Sequence, residues 1–263
     1  MDKVTHQVTD VSAINLIDAQ FSEFAFKRHY HLDYHIGLIT SGHQHYFYRG
    51  ARHIAGPGHV VLLPPDEIHD GQAANHDGYQ VKIFDIEPDW LHDQAGIDTR
   101  SLSFLAHNID DKPLFAELGY LHGVLHDANF SNLGKDCLSW HAFSSLFDRY
   151  ATRKSPTHHQ LGSRSLGQIR EFMDAHLSEK ITLDELADLC QLSHTQLLRQ
   201  FKKSTQMTPY AYLARLRLER AMQLIRRGER STDVAHLVGF YDQAHFVKAF
   251  KQTFGITPGQ LQR

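Results

Sequence analysis

Residues 181–204 read ITLDELADLCQLSHTQLLRQFKKS. Thr182 is followed three positions later by Glu185, and Ser193 by Gln196, the pairing in which a hydroxyl caps the start of a helix and the later side chain reaches back to it. Two short helices are therefore expected, joined by a turn of a few residues. On the first, Leu183, Leu186, Ala187 and Cys190 recur at spacings of three and four and share one face. The second turns Leu197 and Phe201 inward and leaves Thr195, Gln196, Arg199 and Lys202 outward. Small Ala187 permits close helix approach, and a polar outer face on the second helix of a tight pair is the arrangement of a helix-turn-helix.

The segment recurs. Residues 231–258, STDVAHLVGFYDQAHFVKAFKQTFGITP, align with it at an offset of 49, so that Leu197, Phe201, Lys202, Thr208 and Pro209 match Phe246, Phe250, Lys251, Thr257 and Pro258. Between the copies, PYAYLARLRLERAMQLIRRG is an amphipathic helix of about 18 residues, which spans about 27 Å at about 1.5 Å per residue. That length suits two recognition helices in successive major grooves, about 34 Å apart, once the turns are added.

Charge is divided in the same way. The net charge of −3 conceals +8 over residues 194–263, from twelve Lys/Arg against four Asp/Glu, and −8 over residues 1–160, from twelve against twenty. A cationic C-terminal segment is suited to phosphate contact. Of the 21 histidines, 17 precede residue 161, so the N-terminal half has a chemistry of its own. Cys137 and Cys190 are too few for a disulfide framework or a cysteine zinc site, and they do not supply the reactive cluster that DNA alkylation repair would need. No run of 18 apolar residues and no signal-peptide pattern is present, so no membrane association and a cytoplasmic location are expected.

The N-terminal half alternates apolar and polar residues between 21 and 90, in HIGLITSG, HYFYRG, HVVLLPP and YQVKIFDI, as β-strands do. LFAELGYLHGVLHD and CLSWHAFSSLFDRYA then show helical spacing. TRKSPTHHQLGS has little to bury and contains Pro and Gly. The expected division is a first domain over 1–151, a linker over 152–163 and a DNA-binding domain over 164–263. The fold class is α+β: an N-terminal β-barrel with helices and a C-terminal all-α domain with two helix-turn-helix units.

Residues 165–263 resemble the AraC family of bacterial transcription regulators, through Arg217, Ala221 and Leu224 on the joining helix and Val238-Gly239-Phe240, Phe246, Phe250-Lys251, Gly255 and Thr257-Pro258 in the second copy. The resemblance implies base contacts from Thr195, Gln196 and Arg199, and from Gln243, His245 and Lys248. Arg can read guanine and Gln adenine. Lys202, Lys203 and Lys251 look like phosphate contacts, which position without specifying. Two departures stand out: Gln206 occupies a place where the family often has Gly, and Leu261 one where an aromatic is common.

The strand-rich half resembles the cupins. His29-Tyr30-His31, then His35 and Gly42, keeps the first cupin spacing with His in place of the usual Glu. Gly58, Pro64 and His69 keep the second, with Asp66 and Ala73 where Gly and Asn are usual. The resemblance implies either a divalent metal on His29, His31, His35 and His69 or a histidine-lined effector pocket without metal. No other cofactor is expected. Tyr34, Tyr46, Tyr48 and Phe84 are pocket walls or core. In AraC relatives the helices near 102–150 pair subunits, and here Leu114, Leu118, Leu121, Leu125, Leu138, Phe143 and Leu146 serve either a homodimer or the barrel's own outer face. The expected function is ligand-responsive, sequence-specific binding of double-stranded DNA, with activation through RNA polymerase; the alternative is a metal-dependent cupin enzyme with a helical appendage.

Overall fold

A computed structural model of the chain describes residues 2–11, 13–95, 102–153 and 163–262. The chain divides into two compact units, Met1–Ser155 and Pro156–Arg263.

In the first unit the strands are β1 (Lys3–Val8), β2 (Ile14–Phe21), β3 (Phe26–His29), β4 (Tyr34–Gly42), β5 (Gln44–Tyr48), β6 (Ala51–Ala55), β7 (Val60–Leu63), β8 (His69–Ala73) and β9 (Tyr79–Ile86). Helix α1 (Pro88–Ala95) leads to β10 (Leu102–Phe104) and β11 (Asn108–Ile109). Then come α2 (Lys112–His126), α3 (Asn132–Tyr150) and β12 (Ala151–Arg153). β12 pairs with β10, so the expected linker gives up 152 and 153 to a strand, and 154–162 lie outside the described residues.

A closed barrel was expected, and the described strands do not form one. They form a six-stranded sheet in the order β1-β2-β9-β4-β7-β11 and a four-stranded sheet in the order β3-β8-β5-β6, with a small β10-β12 pair beside them. The physical reason lies in the central strands of the larger sheet, which are apolar on both faces, as VVLL in β7 shows. One face packs Leu16, Ile36, Leu38, Val60, Leu62 and Phe84 against Leu114, Leu118, Leu121, Leu125, Phe143 and Leu146 of α2 and α3. The opposite face packs Ile17, Ile39, Val61 and Val81 with Tyr46, Tyr48 and Ala55 of the smaller sheet. Three layers result: small sheet, large sheet and helix pair.

The second unit is helical: α4 (Ser163–Ala175), α5 (Leu183–Leu189), α6 (His194–Thr205), α7 (Pro209–Arg226), α8 (Ser231–Leu237), α9 (Gln243–Phe254) and α10 (Pro258–Leu261). The capping boxes read at Thr182 and Ser193 are formed, and a third joins Thr257 to Gln260. Leu197, Phe201, Phe246 and Phe250 are completely buried, so the matched residues of the repeat do the same work in each copy. The offset is 48 for the first helices, α5 and α8, and 49 for α6 and α9. The extra residue in the second turn is Tyr241, 96% exposed.

Arginines of α7 tie the unit together. Arg220 grips both oxygens of Asp174 on α4, at 2.7 and 2.5 Å. Arg217 donates to the backbone carbonyls of Leu177 (2.9 Å) and Glu179 (2.8 Å). Buried Arg215 pairs with Glu219 at 2.5 Å and lies 5.0 Å from the ring centre of Phe254 on α9.

Candidate functional site

On α6 the buried Leu197 and Phe201 fix which face is outward, and Gln196, Arg199, Lys202 and Lys203 are exposed on it. Thr195 belongs to the helix, but its side chain lies outside the described residues. Gln196 has a duty of its own on this helix, which bears on the base contact that the resemblance implies for it. Its Oε1 accepts hydrogen bonds from the backbone N–H (3.0 Å) and the hydroxyl (3.1 Å) of Ser193. That leaves its amide NH₂ for a base, so Gln196 can donate to one without giving up the cap.

On α9 the buried Phe246 and Phe250 leave Gln243, His245, Lys248 and Lys251 exposed. Asp242 caps the helix through the N–H of His245 at 2.7 Å, and the His245 ring packs edge-on against Phe240. Tyr241 stands just before this helix and was not singled out from the sequence, because only the one-residue difference between the turns exposes it. The helix ends also differ: Gly255 closes α9 at φ 77°, whereas Gln206 closes α6 in the same left-handed region at φ 54°. The place where the family often has Gly does demand the glycine conformation.

In the first unit, the four histidines singled out by spacing converge between the two sheets. His29 and His69 face one another across the β3-β8 ladder, with Tyr48 opposite His69 on β5. Ring centres of His29 and His69 are 4.3 Å apart, those of His29 and His31 4.8 Å, and His31 stacks on His35 at 3.5 Å. His29, His31 and His69 are buried, and one ring nitrogen from each lies within 4.8 Å of the others.

Backbone carbonyls orient two of these rings. His29 Nδ1 meets Lys27 O at 2.7 Å and His69 Nδ1 meets Glu67 O at 2.9 Å. A carbonyl only accepts, so each Nδ1 carries a proton, and in the neutral ring each Nε2 presents a lone pair. His29 Nε2 lies 3.2 Å from His31 Nε2, a separation that calls for a shared proton or a cation. Carbonyl-fixed imidazoles are how proteins hold metal ligands, and this donor set fits a divalent transition metal. His35 is differently placed: its Nε2 pairs with Asp85 Oδ1 at 2.6 Å. Asp85 was not read from the sequence, since it joins the site only through the β4-β9 register. Tyr46 and Tyr48 line the same inter-sheet space, while Tyr34 and Phe84 belong to the helix-covered face.

The apolar residues weighed for subunit pairing are mostly consumed in the core. Leu114, Leu118, Leu121, Leu125, Phe143 and Leu146 are buried against the sheet, and Leu138 is partly buried beside them. Exposed instead are Tyr120 on α2 and, seven residues apart on α3, Leu133 and Trp140. Among the described residues, no helix is long and apolar enough to cross a membrane.

Comparison with known proteins gives a family match within each unit. The family model of the AraC-like ligand binding domain matches residues 12–143, and that of a helix-turn-helix domain matches 186–263. An uncharacterized HTH-type transcriptional regulator of Bacillus subtilis, YbfI, is 29% identical over 84% of this chain and 81% of its own length. The HTH-type transcriptional activator RhaS of an Enterobacter strain is 36% identical over 37% of this chain and 36% of its own length. For the regulator GbdR of Pseudomonas aeruginosa the figures are 39%, 40% and 30%. ToxT of Vibrio cholerae, solved with an unsaturated fatty acid bound, shares the fold at a TM-score of 0.64 and 14% identity, over 97% of this chain and 96% of that one. With a sheet domain that matches the AraC ligand-binding model and a helical unit that carries two helix-turn-helix pairs, the chain belongs to the AraC-type transcriptional regulators.

Proposed function

We propose that the chain is a transcription activator whose sensory domain, over 1–151, takes a small effector between its two sheets and whose 164–263 domain reads DNA through α6 and α9. The observation that carries this reading is the duplicated outward face: Arg199 and Gln196 on one recognition helix, and Gln243, His245 and Lys248 on the other, each backed by two buried apolar residues. Thr195 completes the first reading face. Arg199 is suited to bidentate contact with guanine, while Lys202, Lys203 and Lys251 neutralise phosphates.

The effector engages His29, His31, His35 and His69. Imidazoles offer both donors and acceptors, which suits a small molecule with oxygen functions; ToxT, a protein of the same fold, has been solved with an unsaturated fatty acid bound. A divalent metal held by His29, His31 and His69 would supply a Lewis-acidic anchor for such oxygens. Two copies pair through the face that carries Tyr120, Leu133 and Trp140, which doubles the DNA contacts and gives the effector a geometry to alter. The regulator works in the cytoplasm and engages RNA polymerase there.

The test is binding of the purified chain to its own promoter region against random DNA, over a range of salt concentrations. Specific binding at least about a thousandfold tighter than the random-sequence level supports the reading. Equal affinity for both defeats it.

A further inference from the structure

Helix α2 carries two histidines one turn apart in the stretch HGVLH, His122 and His126. The i,i+4 spacing puts both rings on one face of the helix. Across from them is Asp18, on β2. His126 Nε2 lies 2.8 Å from Asp18 Oδ2, the two imidazole centres are 4.9 Å apart, and one ligand atom from each of the three residues falls within 4.8 Å of the others. Asp18 lies opposite Lys82 in the β2-β9 register, on the helix-covered face of the large sheet. His29, His31, His35 and His69 lie on its other side.

Packing alone does not account for His122. It is completely buried, and apart from a weak approach to the Ile83 backbone its ring nitrogens have no hydrogen-bond partner. Leaving such groups unsatisfied costs about 1–3 kcal/mol each, and a leucine would fill the space beside the Phe84 ring, 5.2 Å away, without that penalty. Beside Asp18 a cleft of about 260 Å³ opens to solvent, lined also by Lys3, Gln20, Gln80 and Lys82. Asp18 thus lies between the buried His122 and a cleft open to solvent.

We propose that Asp18, His122 and His126 are a binding site for a divalent transition metal, with Zn²⁺ as the ion of best fit and an open coordination position facing the cleft. Two imidazoles and one carboxylate are a donor set this ion takes in catalytic and regulatory sites. Donors at about 2.0–2.1 Å from a tetrahedral ion are about 3.3 Å apart, so small side-chain rotations close the present spacing. The metal replaces the proton that His126 shares with Asp18. Lys82, now 2.8 Å from Asp18 Oδ1 and 41% exposed, either steadies that oxygen or swings into the cleft. Bound there, the ion pins the C-terminal turn of α2 to the sheet.

The experiment uses the full chain, stripped with chelator and then dialysed against Zn²⁺ or Co²⁺. Bound metal per chain is measured for the wild type and for Asp18→Asn, His126→Gln and His69→Gln, with circular dichroism to establish folding. Asp18 and His126 are partly exposed, so their variants are expected to fold. The expected result is that D18N and H126Q each lose one equivalent that H69Q retains, together with the Zn²⁺-dependent rise in Tm which that equivalent confers. Absence of Zn²⁺ binding by the wild type, or full retention of its metal by both D18N and H126Q, overturns the proposal. Loss of all bound metal in H69Q overturns it too.

Discussion

Gly239 and Gln191 occupy equivalent positions, two residues beyond α8 and α5, and both adopt left-handed backbone, at φ 82° and 54°. Replacing each with the other kind of residue should change stability in opposite directions. A Cβ on Gly239 would lie 2.3 Å from the carbonyl oxygen of Leu177 and 2.9 Å from the Arg217 guanidinium that clasps it. The left-handed conformation alone costs a non-glycine residue about 1–2 kcal/mol. Displacing Arg217 weakens two charge-assisted hydrogen bonds, worth about 1.5–3 kcal/mol each. Partial relaxation leaves about 3–5 kcal/mol of destabilisation for Gly239→Ala, at the severe end for a point substitution. Gln191→Gly relieves about 1–2 kcal/mol of backbone strain and gives back about 0.4–1 in chain entropy, a net gain of about 0.5–1 kcal/mol. Hydrogen exchange of the full chain, followed in peptides from α5 through α9, reads both. At about 1.4 kcal/mol per factor of ten, G239A should speed exchange of the best-protected amides by at least about a hundredfold, and Q191G should slow it severalfold around α5 and α6. A G239A protein within about 1 kcal/mol of wild type, or a destabilised Q191G, would refute the reasoning.

Three further outcomes are expected. Arg199→Ala should relax specificity at one base pair by about 1–3 kcal/mol, whereas Lys202→Ala should weaken all sequences alike and reduce the salt slope by about one, as seen by anisotropy titration at graded salt. Trp140→Asp should shift the full chain towards monomer in sedimentation at micromolar concentration while leaving its circular dichroism unchanged, since this ring is 50% exposed. His107 is held down to about 4 by burial, aided by His53 and Arg49, so the folded chain keeps it neutral where the unfolded chain takes up a proton. Its contribution is therefore full above about pH 6.5 and is lost as the pH falls towards 4. His107→Gln should flatten the acid side of the urea-stability profile by about 1 kcal/mol after allowance for the ring's partial exposure.

Local signals carried much of the architecture. Caps at Thr182 and Ser193, the buried pairs Leu197/Phe201 and Phe246/Phe250, and the 49-residue repeat are relations among residues close in the chain or copied within it. They could be read directly. The strand stretches of β4, β5, β7 and β9 were equally legible, as were α2 and α3. Strands β1 and β2 were not: KVTHQV has few apolar residues and buries none fully, and INLIDAQF is buried over most of its length without the clean alternation of a half-exposed strand.

Sequence alone determined that this chain is a two-part regulator, and it named the four histidines that meet between the sheets, because motif spacing survives without coordinates. Only the tertiary structure decided that the sheets remain open layers and that His35 belongs to Asp85. It alone assigned the candidate dimer leucines to the core and joined Asp18 to a histidine pair more than a hundred residues away. Each of these depends on strand register or on which face of an element is covered, and those are set by packing between distant segments rather than by the local pattern of any one of them.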